Sequence, residues 1–101
     1  MAEFVKVASV SELAPGSAKA IEVKGKTIAL FNVEGTIYAT DNTCLHQGGP
    51  LGEGALMGEV IICPWHEWEY NVRTGEMVGN SSVKLVTYPL QVEGDDIRVA
   101  V

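Results

Sequence analysis

Four side chains carry all the soft-metal ligand capacity of this chain: Cys44, His46, Cys63 and His66 are its only cysteines and histidines. They come in two pairs, Cys44-Leu45-His46 and Cys63-Pro64-Trp65-His66, with residues 47–62 between them, a C-x-H-x16-C-x2-H pattern. Each pair places a thiolate and an imidazole on one short loop, and two such loops can close around a metal centre. The glycines between the pairs let backbone N–H groups approach a sulfur without a side chain in the way. Pro64 stiffens the second loop between its two ligands.

Three chemistries use this donor set. A structural zinc site accepts two Cys and two His, but zinc fingers usually pair Cys with Cys and His with His on a helix. Here the pairs are mixed and no helical pattern carries the histidines. A cysteine nucleophile with a histidine base needs neither the duplication nor the spacing, and no third orienting group stands out. A [2Fe–2S] cluster of mixed ligation uses two Cys on one iron and two His on the other.

The elements that must hold these loops read as strands. The chain has 101 residues, 47% apolar and 20% charged, the balance of one globular domain over residues 1–101. Ile21 and Val23 alternate with polar residues before a turn at Gly25. Lys26 to Asn32 is a β-rich run around Ile28, Leu30 and Phe31. Val33-Glu34-Gly35 is a tight-turn signal, and Thr36 to Thr40 is the return strand. Leu85 to Val92 and Asp96 to Val101 flank a hairpin signal at Gly94-Asp95, with Pro89 marking an edge or a bulge. Only Val10 to Leu13 offers a helical turn, stopped by Pro15-Gly16. The expected fold is all-β: an antiparallel sandwich-like base from residues 3–40 and 83–101, with a small loop-rich lobe inserted over about residues 41–82.

The net charge of −6 disfavours nucleic acid and anionic lipid and suits partners with basic patches. Glu53, Glu59, Glu67 and Glu69 lie near the ligands in sequence, where they read as solvated carboxylates that a basic partner could also meet. No apolar run approaches the length of a membrane span. Met1-Ala2-Glu3-Phe4-Val5-Lys6 has no basic start before an apolar stretch, so no secretory signal is expected and a cytoplasmic protein is. In that compartment a Cys44–Cys63 disulfide is disfavoured.

The ligand pattern resembles the Rieske iron–sulfur motif. The resemblance extends over most of the chain, through Ser11-Glu12-Leu13-Ala14-Pro15-Gly16, the lead-in Thr40-Asp41-Asn42-Thr43-Cys44, and Cys63-Pro64-Trp65-His66-Glu67-Trp68-Glu69-Tyr70 followed by Arg73-Thr74-Gly75. It implies a Rieske-like β-sandwich base with a cluster-binding lobe and one [2Fe–2S] cluster. Cys44 and Cys63 would hold the buried iron, and His46 and His66 the outer iron, with the imidazole edges toward solvent as the electron exit. Neither iron has an open position, so the implied role is one-electron carrier, not enzyme. Soluble members of this kind pass electrons from a flavin NAD(P)H reductase to a terminal ring-hydroxylating oxygenase, and a monomer is expected. The small subunit of an assimilatory nitrite reductase shares the fold and is the nearest alternative; a zinc-stapled interaction module is the alternative from another class.

The resemblance also bears on the potential. High-potential members carry a serine two residues after the last histidine, where this chain has Trp68. They also carry a second cysteine pair, at the positions of Gly49 and Trp65. Tyr70 keeps a position from which a phenol could reach a cysteine sulfur. These differences imply a low-potential protein, near the lower end of the roughly −150 to +300 mV range open to such centres. Trp65 is expected to shield the cluster or face a partner, and Trp68 to pack in the lobe. Leu45 and Pro50 are expected to cover the cluster or fill the lobe. Gly79-Asn80-Ser81-Ser82 stands where the family has a proline-rich third loop, and lacks the proline.

Overall fold

The computed structural model describes residues 3–43, 49–65 and 68–100. Eleven strands occur among them: β1 (Phe4–Ser9), β2 (Ala18–Val23), β3 (Lys26–Val33), β4 (Thr36–Asp41), β5 (Ala55–Met57), β6 (Val60–Ile62), β7 (Glu69–Asn71), β8 (Glu76–Met77), β9 (Asn80–Lys84), β10 (Leu90–Glu93) and β11 (Asp96–Ala100). They form three antiparallel sheets, ordered β1-β11-β10, β2-β3-β4 and β5-β6-β7-β8-β9. No described helix is long and apolar enough to cross a membrane.

Turn chemistry sets the register of the central sheet. Val23 pairs with Lys26 and Val33 with Thr36, leaving the two-residue turns Lys24-Gly25 and Glu34-Gly35. All four turn residues have positive φ, between 50° and 98°, the geometry that matches the right-handed twist of the flanking strands. Beside the second turn, the buried Asn32 amide donates to the Leu13 carbonyl at 2.8 Å and its Oδ1 accepts from the Gly35 N–H at 2.8 Å. The stretch after β1 forms a 3-10 turn over Val10–Glu12, pinned when the Ser11 N–H and hydroxyl donate to the two carboxylate oxygens of Asp95.

β3 is buried on both faces. Ile28 and Leu30 point into a core shared with Leu13, Ile21, Ile37, Ile97 and Val99. Their neighbours Ala29 and Phe31 point the other way, into a second core with Leu51, Ile61, Cys63, Tyr70, Val72 and Leu85. The first core joins the two three-stranded sheets. The second carries the five-stranded sheet of the lobe.

Two expectations need correction. The lobe is loop-rich, as expected, but its loops are carried by a sheet within residues 55–84 that was not foreseen, because its strands are only two to five residues long, too short to show a hydrophobic period. The polar run Asn80-Ser81-Ser82 belongs to β9, because ladder pairing with β8 (Met77 with Asn80, Glu76 with Lys84) decides its conformation and side-chain propensity does not. The expected strand from Leu85 to Val92 is divided. Residues 86–88 run beside β4, where the Asp41 N–H donates to the Val86 carbonyl and the Tyr88 N–H to the Ala39 carbonyl, each at 2.9 Å. After Pro89, which has no N–H to give, the chain joins β11 as β10.

Truncating β3 therefore costs both layers. Phe31→Ala should destabilise the protein by about 3–5 kcal/mol in denaturant titration, as buried aromatic truncations do. Lobe fluorescence from Trp65 and Trp68 should be lost in the same transition as the far-UV signal; a separate, earlier lobe transition would contradict the shared core.

Candidate metal centre

Cys63 lies at the tip of the β6–β7 hairpin. Ile62 pairs with Glu69, and the Cys63 N–H donates to the Trp68 carbonyl at 2.8 Å, closing the turn that contains Pro64 and Trp65. Cys63 is 1% exposed, has no disulfide partner among the described residues, and faces the second core with Tyr70 and Leu51. Trp68 packs against the same core, as expected, whereas Trp65 is 56% exposed at the tip.

The chain that carries the first pair is closed in a similar way. Thr43 and Pro50 form an antiparallel bridge, and the Leu51 N–H donates to the Asn42 carbonyl at 2.7 Å. Asn42 is buried, and its Oδ1 accepts the Gly52 N–H at 2.7 Å. That amide fixes the 3-10 turn Leu51–Glu53 to the end of β4. The same turn lies so close to β2 that a Cβ on Gly52 would stand 2.7 Å from the Ala20 nitrogen. Cys44, His46 and His66 lie outside the described residues, as do Leu45 and Glu67.

Gly49 connects the two closed segments. It is buried, and a Cβ placed there would stand 2.8 Å from the Cys63 Sγ and 3.1 Å from the Trp65 Cγ. The sulfur thus has bare backbone on one flank and an indole nearby, in a pocket that excludes water. A buried thiol with peptide backbone against it is the environment a thiolate-bound cluster needs, so the described residues fit the group that the spacing of the four ligands implies. The same contact puts Gly49 and Trp65 side by side, the two positions where a second cysteine pair would have to meet.

Charge is distributed unevenly about this site. Residues 41–82 contain six carboxylates (Asp41, Glu53, Glu59, Glu67, Glu69 and Glu76) and one cation, Arg73, so the lobe carries −5 of the chain's −6. Arg73 Nε is 3.4 Å from Glu59, while Glu53 and Glu69 are exposed.

Asn42 and Asn71 were not singled out by ligand type or spacing. Asn71 ends β7, accepts the N–H groups of Arg73 and Thr74 at 2.9 and 3.2 Å, and so shapes the turn after the hairpin. The available signal was an Asn at a strand end before a loop, a position where its side chain substitutes for ladder bonds.

The comparisons with known proteins agree with this geometry. Residues 3–89 match the profile of the Rieske [2Fe-2S] domain. The chain is similar to the ferredoxin component of the naphthalene 1,2-dioxygenase system of Pseudomonas aeruginosa, with 34% identity over 98 residues, covering 96% of this chain and 94% of that protein. It is also similar to a chain in the complex of reduced oxygenase and oxidized ferredoxin of carbazole 1,9a-dioxygenase, with 33% identity and a TM-score of 0.88, covering 96% and 92% of the two chains. A chain described as an NADH-dependent nitrite reductase small subunit from Mycobacterium tuberculosis has a TM-score of 0.89, covers 100% of this chain and 96% of its own, but is 20% identical, a likeness of fold alone. The profile match takes in both ligand loops and the sheets that hold them, and the chain belongs to the Rieske [2Fe-2S] domain family.

Proposed function

We propose that this chain is the ferredoxin component of an aromatic-ring dioxygenase system, a one-electron carrier and not itself an enzyme. In this reading Cys44, His46, Cys63 and His66 hold one [2Fe–2S] cluster, a flavin NAD(P)H reductase supplies the electron, and a terminal oxygenase receives it. The chain works as a single domain, a monomer in the cytoplasm. The observation that carries the reading is the buried Cys63 thiol against bare backbone at Gly49, within a family whose curated relatives include dioxygenase ferredoxins.

When bound, the cluster supplies a reversible one-electron couple. The protein's part is electrostatic and steric. Four thiolates around a core of about +2 leave the site near −2, whereas two thiolates and two neutral imidazoles leave it near zero, which eases electron uptake. Cys63 is held away from water by Tyr70, Leu51 and the Gly49 backbone, which keeps the local dielectric low. Trp65, exposed beside it, gives the tip an apolar aromatic surface where a partner can exclude water. Trp68 stands where high-potential relatives carry a hydroxyl, and no second cysteine pair braces the loops. The missing hydroxyl leaves negative charge on the sulfurs less compensated, so the potential lies low.

The acidic lobe supports docking to a basic face. Attraction between opposite charges of this size steers association over about a Debye length and loses its effect as salt rises.

Three measurements follow. Purified protein should contain two irons and two labile sulfides; His46→Ala, His66→Ala and Cys63→Ser should each lose the red-brown visible spectrum, while Trp68→Ala retains it. Colourless wild-type protein with one zinc would overturn the assignment. Redox titration should place the midpoint below zero, and a clearly positive value would contradict the role given to Trp68. The second-order rate of electron transfer to a partner oxygenase should fall several-fold between 50 and 300 mM salt, as about a Debye-length argument requires; a rate independent of salt would remove the electrostatic docking.

A further inference from the structure

Asp41 ends β4 and stands three residues before Cys44, so their Cα atoms are at most about 11 Å apart along an extended chain. Its backbone is fixed by the N–H bond to Val86, and the next residue, Asn42, is tied to Leu51 and Gly52. Its half-buried carboxylate accepts a hydrogen bond from the Tyr88 hydroxyl. Tyr88 is itself held, by its N–H bond to Ala39 and by the Thr40–Thr87 bridge beside it. The Lys26 Nζ lies 5.8 Å from the centre of its ring. Burial, and then the Asp41 carboxylate, push the Tyr88 phenol up to about 12, so it remains a proton donor throughout the working pH range.

The Tyr88–Asp41 bond joins two segments, residues 39–42 and 86–88, that backbone hydrogen bonds and the Thr40–Thr87 bridge already align. What it adds is a charge with a fixed place. A surface Asp would rotate toward water and be screened; this one is clamped on both its backbone and its carboxylate.

We propose that Asp41, clamped by Tyr88, is a fixed negative charge at the root of the first ligand loop that holds the reduction potential down. The proposal rests on the reading that Cys44 and its partners hold the cluster. The signs follow from Coulomb's law. Electron uptake adds negative charge near Asp41, so the carboxylate disfavours the reduced state, and neutralising it raises the potential. The Tyr88 O–H points its positive end at the carboxylate and offsets part of that charge. Removing the hydroxyl leaves the charge less compensated and lowers the potential. A pair that merely braced the loop would shift the potential the same way whichever partner were removed.

The test is redox titration of the cluster-loaded protein at pH 7, followed by visible circular dichroism, with Asp41→Asn, Tyr88→Phe and the double variant, beside thermal unfolding of each. The expected result is a higher midpoint for Asp41→Asn, a lower one for Tyr88→Phe, and no further shift from Tyr88→Phe once Asp41 is Asn. Shifts of the same sign in the two single variants, or no shift in Asp41→Asn, would overturn the proposal even if both lower the melting temperature. If Asp41→Asn does not load iron, Tyr88→Phe decides alone: a downward shift supports the fixed charge, and an unchanged or raised midpoint overturns it. Wild-type protein that binds no iron would instead remove the cluster reading on which the proposal rests.

Discussion

Burial of β3 on both faces is the constraint on which the rest of this molecule depends. A strand in a two-layer sandwich offers one face to a core and the other to water. Here Ile28 and Leu30 fill one core while Ala29 and Phe31 fill another, and the lobe sheet is anchored to the base through that second face. The lobe strands are short and carry little apolar area of their own. Their stability comes from Ile61, Tyr70, Val72 and Leu85 packing on Ala29 and Phe31, and the ligand-bearing tip of the β6–β7 hairpin is positioned by that packing.

Where the two loop-bearing segments meet, the deciding feature is missing side-chain volume. Gly52 lets the Leu51–Glu53 turn lie on the β2 backbone, and Gly49, just before that turn, lets the backbone lie on Cys63. Asn42 supplies the polar bond that keeps this turn at the end of β4. A buried thiol, two close backbone approaches and one satisfied buried amide hold the described part of the site on a rigid support. That suits electron transfer, in which the nuclear positions should change little between the two redox states. The lobe also holds nearly all the net negative charge of the chain, while the base, with its Lys6–Asp96, Lys19–Glu12 and Lys24–Glu3 pairs, is close to neutral.

Much of this was legible in the sequence, for identifiable reasons. The turns at Gly25, Gly35 and Gly94 announce themselves because few other residues accept their φ. The β-rich run from Lys26 to Asn32 marked β3 as a strand, though not the burial of both its faces, and the spacing of Cys44, His46, Cys63 and His66 carried the chemistry. The lobe was less legible. Strands of two or three residues have no period to detect, and Asn80-Ser81-Ser82 is a strand only because β8 pairs with it. The path of residues 86–88 beside β4 rests on long-range backbone bonds that no local pattern encodes. The contributions of Gly49 and Gly52 depend on what lies opposite them, and the Asp41–Tyr88 bond joins residues 47 positions apart.

The central claim is a cluster held by two thiolates and two imidazoles. The most direct measurement is electron paramagnetic resonance of the dithionite-reduced protein, with nitrogen couplings resolved by pulsed methods on samples carrying 15N-labelled histidine. The account predicts a signal from one unpaired electron whose average g lies below the free-electron value, with two strongly coupled histidine nitrogens that change isotope with the label. A signal without strong histidine coupling, or no signal at all, would contradict it.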